Sequence, residues 1–179
     1  MNQLTTVDIL ALASQKEQMA ALAKTNGYTE QFGLILSEED AAELLAERSH
    51  ALKEQRRVEF GEGILPRIIY EFCDSDFMEQ DTYVETLARL QEIFYLFKGE
   101  AMDELTDGEL LAFMRQQFDE ICFGDLDYLE STCLKKFADA VRAGYRGYQA
   151  TGGREDFDRF DIRTRWDRDL YLEALAQQF

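Results

Sequence analysis

With 179 residues, 46% of them hydrophobic and 12% aromatic, the chain carries enough apolar material for one packed domain, which excludes a disordered polypeptide. Its 36 Asp and Glu outnumber 19 Lys and Arg for a formal net charge of -17, which repels phosphate backbones and anionic lipid and so argues against nucleic-acid and membrane-surface partners. A DNA-mimicking decoy is disfavoured too, because the acids are interleaved with Arg along many helix faces. With one Pro and few β-branched runs, helices are favoured throughout.

A first helix is expected from a Thr5 or Thr6 cap to about Lys24, stopped by Asn26-Gly27. Phe32-Gly33-Leu34-Ile35-Leu36 is a short apolar approach, readable as extended, to a capping box at Ser37-Glu38-Glu39-Asp40. The second helix then runs to about Arg56 on a stripe of Ala41, Leu44, Leu45 and Leu52. Gly61 and Gly63 alternate with carboxylates ahead of Pro66, a specified bend into a third helix, Leu65 to about Cys73, that turns Ile64, Ile68, Ile69 and Phe72 inward. A fourth helix spans about Asp81 to Lys98, and its Val84, Ile93 and Leu96 fall outside the Tyr83, Leu87, Leu90, Phe94, Phe97 stripe, so it is expected to be contacted on more than one side.

Thr106-Asp107-Gly108-Glu109 opens a fifth helix with another capping box, Gly124 interrupts, and a sixth helix runs from about Leu126 to Arg146. Thr151-Gly152-Gly153 is the best internal break, and a charged C-terminal subregion starts at about 151. There Phe160, Ile162, Thr164 and Trp166 alternate with charged residues, the one strand signal, with Arg57 to Phe60 as its pairing partner. A last helix covers about Asp167 to Gln178. The fold class is therefore mainly α: a compact, single helical domain of six or seven helices, with one short two-stranded β element as an option.

Three stretches carry a family resemblance: Val58-Glu59-Phe60-Gly61-Glu62-Gly63-Ile64-Leu65-Pro66 with the helix after it, Gly33-Leu34 to Ser37-Glu38-Glu39, and Leu87 to Phe97. Together they resemble an uncharacterised family from Gram-positive anaerobic bacteria. The resemblance implies no particular activity.

Few constellations point to chemistry. Glu47 and His50 place a carboxylate and an imidazole on one helix face, as in di-iron bundles, but such a site needs a second histidine and His50 is the only one. The same fact argues against the commonest zinc, haem and Ser-His-Asp arrangements. Asp74, Asp76 and Glu85 stand at positions one, three and twelve of a calcium-loop pattern, yet Met78 takes the fifth position and Glu79 the turn position that wants Gly. Gly61, Gly63 and Arg67 form a candidate anion site at the start of the third helix, where Glu62 opposes an anion and Arg56 and Arg57 offset it. Cys73, Cys122 and Cys133 form no Cys-x-x-Cys pair and read as small buried hydrophobes rather than disulfide partners.

No basic-plus-apolar leader and no run of membrane-span length is present, so the expected location is a reducing cytoplasm. Without a catalytic fingerprint, the reading is a non-catalytic protein-interaction module with an acidic helical surface, a protein partner or homo-oligomer, and no cofactor. Its alternatives are a small enzyme using carboxylates and arginines, and a calcium- or anion-binding helical module.

Overall fold

Three capping boxes set the helix starts. Thr5, Ser37 and Thr106 each accept from the backbone N–H three residues on, and Asp8, Asp40 and Glu109 accept in return from the cap N–H. The computed structural model describes residues 5–144. Its helices are α1 (Thr6–Thr29), α2 (Glu38–Glu54), α3 (Leu65–Phe72), α4 (Tyr83–Glu100) and α5 (Asp107–Glu120). A last helical run, α6, joins Leu126–Tyr128, a π turn at Leu129–Leu134, and Lys135–Arg142. The fold is mainly α, and there is no strand among the described residues. Arg57 to Phe60 is irregular, while the alternating run at 160–166, the last helix and the subregion from 151 lie outside the described residues.

By its contacts the chain falls into two compact units, Met1–Glu92 and Ile93–Phe179, divided within α4. In the first, α1 contacts α2 and α3, and its buried residues Leu22, Thr25 and Thr29 lie in its C-terminal half. Leu44, Leu65, Ile68, Ile69, Phe72, Leu87 and Leu90 are fully buried there. In the second, Phe113 of α5 stacks on Phe137 of α6 with ring centroids 4.0 Å apart. Ile93, Phe94 and Tyr95 are three consecutive buried residues of α4, so that helix is enclosed on more than one side.

Asn26-Gly27 does not stop α1, contrary to the sequence reading. The helix continues to Thr29, and the left-handed residue is Gly33 at φ 76°. A glycine inside a helix costs about 1 kcal/mol, and the bonds made beyond it outweigh that cost. The Asn26 amide clasps the backbone of Leu36, donating to its carbonyl and accepting from its N–H, each at 2.8 Å. Gln80 grips Ile35 in the same two-way fashion, and the Thr29 hydroxyl donates to Leu34 O. The irregular Leu34–Leu36 segment thus pairs with side-chain amides where a sheet would supply a strand.

Candidate functional site

The stripe that α2 buries contains a charge. Leu44, Leu45, Arg48 and Ala51 follow helical spacing, so Arg48 is carried into the interior with them and is 6% exposed. Its Nε donates to Glu59 Oε1 at 2.7 Å, and its Nη2 to Glu59 O at 3.4 Å. A guanidinium this buried demands such a partner. Glu59 therefore turns inward from the loop that leaves α2.

Gly63 completes the arrangement. A Cβ there would lie 2.2 Å from Glu59 Oε1 and about 3 Å from two Arg48 nitrogens, and the backbone sits at φ 78°. Gly61 also has a positive φ, 69°, but faces open space, and its carbonyl accepts from Gln18 of α1. Pro66 lies in the first turn of α3, with Ile64, Ile68, Ile69 and Phe72 buried as the spacing predicts. With Glu59 facing in, its neighbours face out: Val58 is 78% and Phe60 87% exposed. The usual polarity is inverted here, charge inside and apolar groups outside.

The residues singled out from sequence fall differently. Arg67 is exposed on α3, and the side of Gly63 where a Cβ would sit faces the Arg48–Glu59 pair. Asp74 and Asp76 flank Ser75, whose N–H donates to Phe72 O and whose hydroxyl accepts from Phe77 N. Met78, at the fifth loop position, is buried, and Glu85 lies in the first turn of α4. Among the described residues no three His, Cys, Asp or Glu side chains gather as metal ligands, Asp74, Asp76 and Glu85 included. His50 is exposed and pairs with Glu54 at 3.2 Å, one turn along α2. Between Glu47 and His50 in the chain, it is Arg48 that enters the interior; its place on the apolar stripe was the available signal.

Two other features stand out, one in each unit. Tyr28 contacts the rings of Phe32 and Tyr70, centroids 5.8 and 5.7 Å apart, in a half-exposed aromatic cluster of the first unit. In the second unit a cleft of about 320 Å³ is lined by Leu96, Glu100, Glu130, Lys135 and Arg142. Glu100 and Asp139 already bind Arg142, and the Asp139 hydrogen bond comes first among the causes that hold its pKa above the ordinary arginine value. Arg142 is thus already paired, while Lys135 also lines the cleft.

A family model described as a family of unknown function, DUF6323, matches residues 21–147. The chain belongs to that family. No curated protein and no solved structure matches the chain. The DUF6323 span holds Arg48, Glu59, Gly61 and Gly63, and leaves the exposed first half of α1 outside it. No helix among the described residues is long and apolar enough to cross a membrane.

Proposed function

We propose that the protein is a non-catalytic interaction module that presents Val58 and Phe60 to a partner protein, in the cytoplasm, as an apolar anchor on an acidic surface. The observation that carries this is the inverted segment at Arg57 to Phe60. A buried ion pair and a glycine fitted against it hold two large apolar side chains in solvent, an arrangement that gives the isolated fold no burial in return. Aromatic side chains anchor many interfaces because they bury a large area with few rotors.

The occupant we infer is an apolar pocket rimmed by Lys or Arg. Arg56 and Arg57 precede the anchor and Glu62 follows it, so the preference for a basic rim rests on the formal charge of -17, which also makes a second copy of the chain a repulsive partner. A photoreactive phenylalanine analogue placed at position 60, with position 128 as a control, tests the reading in living cells. A cross-link from position 60 to a basic-rimmed surface of another protein, absent from position 128, is the expected result. No adduct, or adducts between copies of the chain only, would contradict it.

A further inference from the structure

Cys122 and Cys133 lie eleven positions apart in sequence, and their sulfurs approach to 3.5 Å as free, buried thiols. Two backbone irregularities bring them there. After Cys122 the chain turns through Phe123 at φ 48° and Gly124 at φ 82°, with Gly124 N–H donating to Phe118 O and Asp125 N–H to Cys122 O. A bulky side chain at positive φ is strained, and such strain gathers at functional positions. Cys133 sits within the π turn Leu129–Leu134, a helical irregularity that is also concentrated at functional sites. All three cysteines are buried, Cys122 and Cys133 at 6% and 7% exposure and Cys73 at 2%.

The two thiols are not equivalent. Either sulfur can donate in the contact between them. With Cys122 as donor, that bond and the charge of Lys136 hold Cys133 below the ordinary thiol pKa against the burial that raises it, while the bond, burial and the charge of Asp125 push Cys122 above it. Cys133 is the better thiolate and Cys122 the better retained proton donor.

We propose that Cys122 and Cys133 form a reversible dithiol–disulfide couple that exchanges with low-molecular-weight disulfides. The Cys133 thiolate attacks one sulfur of the small disulfide, forming a mixed disulfide and releasing one thiolate. Cys122, 3.5 Å away, then attacks the Cys133 sulfur, closing the protein disulfide and expelling the second small thiol, which takes the Cys122 proton. The two cysteines are oxidised by two electrons and the small disulfide is reduced to two thiols. A disulfide bond is about 2.05 Å long, so closure asks for a short approach of two sulfurs already in contact. The product ties the end of α5 to the π turn of α6.

Glutathione disulfide added to the folded, reduced protein is the probe, read by mass spectrometry of alkylated peptides with circular dichroism as the check on folding. The native chain is expected to lose two thiols, yield a Cys122–Cys133 linked peptide, and recover both thiols with dithiothreitol. Cys122→Ser is expected to stop as a stable mixed disulfide on Cys133, formed at least about tenfold faster than any adduct on Cys73. Because the primary readout is on the native chain, a poorly folding variant does not decide the outcome. Failure of the folded native protein to form the Cys122–Cys133 bond, or reaction at Cys73 alone, would overturn the proposal.

Discussion

Arg48 and Glu59 meet at 2.7 Å, and the carboxylate that neutralises the buried guanidinium also decides which side chains the following loop exposes. Removing one partner leaves the other charge without compensation. For a fully buried pair that loss is about 3–5 kcal/mol; the Glu59 side chain keeps 18% exposure, which lets water screen part of it. Glu59→Ala is therefore expected to lower stability by about 2–3 kcal/mol in urea unfolding. Arg48→Met, which removes the charge from the more buried side, is expected to cost less. Equal losses would show that an uncompensated interior charge is not what makes Glu59→Ala costly.

Gly61 and Gly63 are expected to respond unequally to the same substitution. At Gly61 an alanine meets open space and carries only the penalty of a left-handed backbone, about 1 kcal/mol. At Gly63 the new methyl also collides with Glu59 Oε1, and the loss should be at least about 1 kcal/mol greater. Identical midpoints in parallel denaturation curves would contradict this.

Tyr83 is 1% exposed, and its hydroxyl is buried without a hydrogen bond beside Thr29, whose own proton goes to Leu34 O. Burial raises the phenol above its ordinary pKa of 10.0. The folded state thus holds the proton more tightly than the unfolded chain. This contribution is fully present below the ordinary value and is lost as pH rises from there toward the folded pKa. Tyr83→Phe is expected to raise stability at neutral pH by about 1 kcal/mol and to flatten the alkaline decline. Thermal melts of both proteins from pH 8 to 11 provide the check, and an unchanged alkaline slope would contradict it.

The helices were legible because the sequence states their starts chemically: Ser37 with Asp40 and Thr106 with Glu109 form the capping boxes their spacing implies. The bend at Gly61, Gly63 and Pro66 was legible for the same reason, since glycine and proline each answer a backbone demand. Asn26-Gly27 misled because its stopping tendency is local, while the Asn26 amide was committed to Leu36, ten residues away. Long-range side-chain pairing of this kind leaves no period in the sequence. The Arg48–Glu59 pair and the approach of Cys122 to Cys133 were hidden likewise, since spacing within a helix does not say which loop folds back over it.

Phe60 carries the central claim, because it is 87% exposed. Phe60→Ser should change stability by less than about 0.5 kcal/mol, so any loss of binding reports on the anchor itself. The decisive measurement is the affinity of native and Phe60→Ser protein for the partner captured at position 60, by isothermal titration at two salt concentrations. A loss of at least about tenfold with an unchanged melting temperature, and weaker binding at the higher salt, is the predicted result. Equal affinities for the two proteins would contradict the account.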